Sequence, residues 1–363
     1  MNMHSVAARL EKVFEGTKAE VILLANTNLV DSNFLYMTGF TSGLFELSFL
    51  ILKPKSEILI TSQLEAEDAR KGRPKEMKIV VANSAKQIIA ALRKELKGKV
   101  VGINERFLPV YYYNMLRKEG KPRRFIGVSE NFAKARAVKE PGEIENIRKA
   151  SDIIKEALAE IPSYFKVGMT EKQLAARLDF IAMEHGASGP SFSTIVCFGE
   201  NAADPHHRPN DTRLTKNSFV LIDCGAKYNN YSSDVTRTFI FEPDRGSAKF
   251  KRMQEILETV EMAQRLAMKK IGPDIAGSEA HNTAAEYIDS AHGGKYKGRF
   301  IHSLGHPVGI DVHDLGTRLF GTERGKLEPG MVVSNEPGIY IPGFGGVRIE
   351  DDVLVTKNGR EVI

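Results

Sequence analysis

"LIDCGAKYNNYSSDVTRTF", residues 221–239, is the stretch from which the rest of the chain can be read. Two strand patterns flank Asn229 and Asn230, and asparagine tolerates the left-handed backbone of a tight hairpin turn. A two-residue turn there pairs Asp223 with Thr236 and Gly225 with Asp234. Asp223 and Asp234 then share one sheet face as diagonal neighbours, ~7–8 Å apart. A one-residue slip would put them on opposite faces. Two solvent-facing aspartates are the plainer alternative, but Asp223 is embedded in "VLIDCGA", apolar on both sides.

Two further acids share this oddity. Glu336 lies within "MVVSNEPGIYI", and Glu350 follows "GVRI" in "GGVRIEDD", residues 345–352. Burying an unpaired carboxylate costs several kcal/mol, so such groups are paired, protonated or bound to metal. Three strand regions each delivering an acid at an apolar position favour one shared cluster. "HSLGHPVGIDVHD", 302–314, offers His302, His306 and His313 as further ligands. Crowded carboxylates at Asp223, Asp234, Glu336 and Glu350 could not all stay ionised unaided. Two divalent cations would balance them, and a pair ~3.5–4 Å apart would lower the pKa of a shared water toward ~7. Hard oxygen donors with an imidazole suit Mn, Co, Fe or Zn. The residues read as a dinuclear hydrolase.

Composition sets the frame. The chain has 363 residues, 42% hydrophobic and 27% charged, which suits an ordinary globular protein of two domains. Its net charge of +5 is spread along the chain, and the longest basic cluster, "RKGRP" at 70–74, is short, so nucleic acid is not an expected partner. No apolar run approaches the ~18 residues of a membrane span. The N-terminal "MNMHSVAARLEKVF" is an amphipathic helix pattern rather than a signal peptide. Cys197 and Cys224, both flanked by apolar residues, fit reduced thiols and a cytoplasmic setting. Serine-hydrolase elbows, Walker loops and C-x-x-C pairs are absent, and "GFGGVR" at 343–348 lacks the third glycine of a dinucleotide loop.

The first third alternates short strands, at 21–25, 45–52, 57–61, 78–82, 99–103 and 125–128, with helical stretches such as "SAKQIIAALRKELK". That pattern predicts a small α/β domain. Pro141, just inside a helix start and followed by acids, opens a second part. Helices are expected at 143–161, 171–185, 247–271 and 278–291, with strands between and after, an α+β arrangement around a curved antiparallel sheet. The boundary is expected near 130–138, giving domains 1–132 and 133–363.

Together "EPGEIENIRKASDI", "DCGAKYNNYSSDVTRTF", "HSLGHPVGIDVHD" and "SNEPGIYIPGFGGVRIEDD" resemble the creatinase/aminopeptidase P/prolidase metallopeptidases of the pita-bread fold. "FLYMTGF", 34–40, is similar to that family's N-terminal creatinase-like module. The resemblance implies five metal ligands: Asp223, Asp234, His306, Glu336 and Glu350. It places Asp223 on one ion and His306 and Glu336 on the other, with Asp234 and Glu350 bridging. Glu336 would also shuttle the proton, while His206 and His313 would polarise the scissile carbonyl. Arg348 is expected either to orient the carboxylates or to form a structural ion pair. Pro307 stands where the family usually has glycine, which removes an N–H and stiffens the loop.

What the resemblance implies for function is hydrolysis of the bond before proline. Xaa-Pro dipeptidase (prolidase) is the first reading and aminopeptidase P, on longer peptides, the second. Methionine aminopeptidase and metal-free creatinase-like hydrolysis rank lower, as does a metal-free binding protein of the same fold. A homodimer is the family's habit, and Mn or Co its first-choice metals. For a dipeptide's carboxylate, Arg318 in "VHDLGTRLF" is the nearest downstream guanidinium; a solvated loop arginine is the alternative.

Overall fold

Strands from the first third pair into one mixed sheet in this computed structural model, which describes residues 3–72 and 77–363. The strands are β1 (Val21–Ala25), β2 (Phe49–Lys53), β3 (Ser56–Thr61), β4 (Lys78–Val81), β5 (Val100–Ile103) and β6 (Arg124–Gly127). Their order across the sheet is β4-β3-β2-β1-β5-β6, antiparallel for β1–β2 and β2–β3 and parallel elsewhere. Helix Ala85–Leu96 begins where Ser84 accepts from the Gln87 N–H, a cap of about 1 kcal/mol. Of the "RKGRP" cluster, Arg73 and Pro74 lie outside the described residues, as do Met1 and Asn2 of the N-terminal helix pattern.

One strand expectation needs correction. The run 45–52 does not extend throughout: Phe45 and Leu47 have positive φ, and β2 starts only at Phe49. Phe45 turns inward and stacks on Phe40, ring centroids 4.7 Å apart, beside Phe34. Aromatic burial in a bend outweighs the local strand preference there.

Contacts divide the chain into two compact units, Met1–Arg136 and Ala137–Ile363. The second opens with helix Pro141–Glu160, proline in its first turn and Glu143 closing a capping box, then helix Glu171–Glu184, capped by Thr170 and Gln173. Strands follow: β7 (Gly189–Pro190), β8 (Ile195–Phe198), β9 (Ser218–Cys224), β10 (Ala226–Tyr228), β11 (Tyr231–Ser232) and β12 (Val235–Phe241). Helices Ala248–Met268 and Gly277–Gly294 come next, the latter broken by non-helical backbone at Ala291–Gly293. The chain closes with β13 (Val332–Asn335), β14 (Gly338–Ile341), β15 (Gly345–Arg348), β16 (Asp351–Thr356) and β17 (Gly359–Val362). Every strand pairing in this unit is antiparallel.

Alternation along β9 explains where the core lies. Phe219 and Leu221 face the core shared with helices 248–268 and 277–294. Val220, Ile222 and Cys224 face the core shared with helices 141–160 and 171–184. Each fully buried apolar side chain contributes roughly 1.5–3 kcal/mol. Period-two alternation therefore puts Asp223 on the Phe219–Leu221 face. Cys197 and Cys224, both free and buried, belong to opposite cores, so no disulfide joins them.

Candidate active site

The hairpin has the register its turn implies: Asp223 pairs with Thr236, and Tyr228 with Tyr231. Asn229 and Asn230 have φ of 47° and 71°, the left-handed pair of a two-residue turn. Gly225 lies opposite Asp234, where a Cβ would come within 1.9 Å of the Ser233 carbonyl oxygen; only glycine lets the strands close there. Asp223, Asp234 and Thr236 thus share one face.

The remaining acids arrive from β13–β16. Glu336 follows β13 directly. Glu350 occupies the break between β15 and β16, its N–H bonded to the Thr236 carbonyl at 3.1 Å. That break frees its side chain to turn toward the hairpin. Asp351 turns elsewhere, bonded to Arg237 at 2.7 Å and Gln264 at 3.0 Å. Asp352 is fully buried and accepts from the Asp234 N–H at 2.9 Å. His306 is held by an isolated bridge between Pro307 and Val333 and by its N–H donating to Ser334 Oγ at 3.1 Å.

These residues meet. Ligand atoms of Asp234, His306 and Glu350 lie within 4.8 Å of one another. His306 Nε2 is 3.5 Å from Asp234 and 3.4 Å from Glu336. His306 Nδ1 lies 3.1 Å from the Pro307 carbonyl, which can only accept, so the ring proton belongs on Nδ1. A bare Nε2 lone pair then faces two carboxylates, an arrangement that calls for a cation between them. Among the described residues, Asp223 Oδ1, Asp234 Oδ1 and Glu350 Oε1 are buried with no hydrogen-bond partner, three more lone pairs awaiting one.

Electrostatics agree. Burial, then Glu350 and Asp223, holds the Asp234 carboxyl well above its ordinary range. Glu350 is raised by burial and then by Glu336. Burial pushes Glu336 up to about 8, with Asp223 adding and Arg348 opposing. Burial, then His313, lowers His306 to about 4, leaving a neutral ligand-ready imidazole. One buried guanidinium sits among the acids: Arg348 donates to Asp223 at 2.6 Å, to Tyr340 Oη at 2.8 Å and to Thr236 at 3.2 Å. Thr236 in turn donates to Glu350 at 2.7 Å. A single arginine cannot neutralise four acids. The donor set fits divalent cations.

A cavity of about 350 Å³ opens onto the cluster. Asp223, Asp234, His306, Glu336, Arg348 and Glu350 line it, and so do His206, His313 and Arg318. The His313 ring packs on His306, centroids 4.1 Å apart, and burial, then Arg318, lowers its pKa. Residue reasoning gave no role to Tyr340 or to the apolar wall, and left His302 as one candidate ligand among three histidines. Tyr340 donates to His302 Nε2 at 2.8 Å, while His302 Nδ1 meets the Ser303 carbonyl at 2.7 Å. Phe192, Ile195 and Val312 give the cavity apolar walls. The histidine was legible in its segment; an apolar wall residue carries no signal distinct from core.

Paired acids and a neutral histidine around an uncompensated centre define a class, the metal-dependent hydrolases. The description "Metallopeptidase family M24" matches residues 145–357, and "Creatinase/Prolidase N-terminal domain" matches residues 7–138. The chain belongs to metallopeptidase family M24, whose members depend on divalent metal, and it has the family's two-part creatinase and pita-bread fold. It is 33% identical to a Xaa-Pro dipeptidase of Pyrococcus horikoshii over 358 residues, 98% of this chain and 96% of that one. A Xaa-Pro dipeptidase structure from Bacillus anthracis superposes with TM-score 0.87 at 32% identity, covering 99% and 97% of the two chains. An X-Pro aminopeptidase from Thermotoga maritima does so with TM-score 0.87 at 29% identity, covering 98% and 97%. Among the described residues no helix is long and apolar enough to cross a membrane.

Proposed function

We propose that this metallopeptidase hydrolyses the peptide bond preceding proline, with Xaa-Pro dipeptides as its substrates. The observation that carries the reading is the convergence of Asp223, Asp234, His306, Glu336 and Glu350 on one cavity, with three buried oxygens left unpartnered. These five would hold two divalent cations, Mn or Co first. When bound, such ions supply Lewis-acid chemistry, lowering the pKa of water and polarising a carbonyl.

The chain's own residues do the rest. Glu336, kept basic by burial and steadied by the Ser334 hydroxyl at 3.2 Å, takes the proton of the attacking water. It then delivers that proton to the departing nitrogen, which in an Xaa-Pro bond carries no hydrogen of its own. His206 and His313, at the cavity wall, donate to the oxyanion as it forms. Arg348 fixes Asp223 and, through Thr236, Glu350. Arg318 is exposed and has no ion-pair partner among the described residues, which supports its use on the substrate carboxylate. A homodimer in the cytoplasm is part of the same proposal, and sedimentation of the purified protein reads its oligomeric state.

The likeness to an X-Pro aminopeptidase keeps longer Xaa-Pro peptides as the second reading. A hydrolysis panel decides between them, with Xaa-Pro dipeptides set against Xaa-Pro-Yaa tripeptides after chelation and return of Mn or Co. Dipeptides cut faster than tripeptides is the expected result. Equal rates would move the assignment to the aminopeptidase. Full activity in metal-free protein would remove both.

A further inference from the structure

His206 is exposed, and its backbone N–H donates to Asp204 Oδ1 at 3.1 Å. Something else must hold it at the cavity. It sits in a segment, 199–213, that has no strand pairing beyond an isolated bridge from Arg213 to Thr170. The start of that segment is packed on β15: a Cβ at Gly346 would come within 2.2 Å of the Ala202 carbonyl oxygen. The part that carries His206 is held by one carboxylate.

That carboxylate is Glu171, the first residue of helix Glu171–Glu184, whose side chain is 0% exposed. Its Oε1 accepts from the Phe198 N–H at 2.7 Å and Asn201 Nδ2 at 2.9 Å. Its Oε2 accepts from His207 Nε2 at 2.7 Å and the Asn210 N–H at 3.0 Å. Four donors, spread from Phe198 to Asn210, converge on one buried acid. His207, adjacent to His206, is thereby drawn inward, and it also closes the turn 204–207, its N–H donating to the Asp204 carbonyl at 3.2 Å. Anchoring His207 therefore fixes the turn on which His206 reaches the cavity wall.

We propose that Glu171 is a positioning residue that acts through His207 to set His206 against the substrate carbonyl. The inference rests on the proposed function, in which His206 touches the reacting group. Glutamine at 171 would present an NH₂ to two of the four donors, so part of the grip is lost whichever way the amide faces. Small misplacements of a reacting group cost up to ~100-fold in rate.

The test is a double-mutant cycle on the metal-loaded enzyme with a Xaa-Pro dipeptide, reading kcat, KM and bound metal. Glu171→Gln is expected to lower kcat by ~10-fold or more while KM and metal content stay near wild type. In a His206→Ala background the same substitution should cost almost nothing further, because its effect is already gone. A second pair spares the buried acid: His207→Gln keeps an N–H donor and should retain more kcat than His207→Leu. Equal cost of Glu171→Gln in both backgrounds, or equal loss in the two His207 variants, would overturn the proposal. No dipeptide hydrolysis by wild-type enzyme would overturn the functional reading, and this inference with it.

Discussion

Each of the two units buries acid, and they handle it differently. In the first, Glu57 on β3 is 4% exposed, and the facing cation is Arg9, itself buried and stacked 4.3 Å over the Tyr36 ring. Burial raises Glu57 to about 7, with Arg9 pulling it down. In the second, Asp223, Asp234, Glu336 and Glu350 share one buried arginine and a histidine that stays neutral. One acid in the field of one guanidinium is close to balanced charge. Acids in excess, facing a cavity and a bare imidazole lone pair, make a site. A raised carboxylate pKa by itself does not distinguish the two; the local charge balance does.

The sharpest way to break that contrast is to remove an acid from the excess. Asp234→Ala should lower Xaa-Pro hydrolysis by at least ~10³-fold, with added Mn or Co failing to restore it. Steady-state rates and elemental analysis read this; a variant that retains both rate and metal would make the cluster structural.

Next comes the division of labour between histidines. His313→Ala should cost ~10²-fold or more in turnover and keep its metal, whereas His306→Ala should lose metal. The reverse pattern of metal contents would exchange their roles.

Arg318→Ala sharpens the contrast between a cation consumed internally, like Arg9, and one offered to substrate. Dipeptide kcat/KM should fall by ~2–3 kcal/mol of transition-state stabilisation, and a tripeptide's by less. Equal losses would return Arg318 to the solvated loop.

Smallest for activity is Glu57, whose effect is on stability. Its folded pKa of about 7 lies above its ordinary 4.5, so the folded state holds the extra proton between those values. Its contribution to folding is therefore most favourable below about pH 4.5 and falls as pH rises to about 7, by roughly 3 kcal/mol in all. Glu57→Gln should gain melting temperature relative to wild type across that window, with a constant difference above it. Unchanged peptidase activity is expected. A flat difference from pH 4 to 8 would mean that Glu57 does not titrate there.

Local rules made much of this legible. The Asn229–Asn230 turn sets the hairpin register, and period-two alternation then places Asp223 and Asp234 on one face. Pro141, Ser84 and Thr170 mark helix starts because caps and proline act within a few residues. Where a distant group competes with local preference, reading fails. Phe45 leaves its strand pattern for an aromatic cluster, and the run "GGVRIEDD" is interrupted at Glu350.

The sequence by itself determined the acids, their spacing, the hairpin and the family pattern, since each depends on chain-local geometry. Only the tertiary structure decided the partners. It turned Asp351 onto Arg237, tied Asp352 to the Asp234 backbone, and closed Arg348 on Asp223 across 125 positions of chain. Glu171 likewise gathers its four donors from 27 to 39 residues away. Hydrogen bonds and ion pairs act over about 3 Å of space whatever the separation in sequence. Which donor meets which acid is therefore settled when the sheets and helices pack.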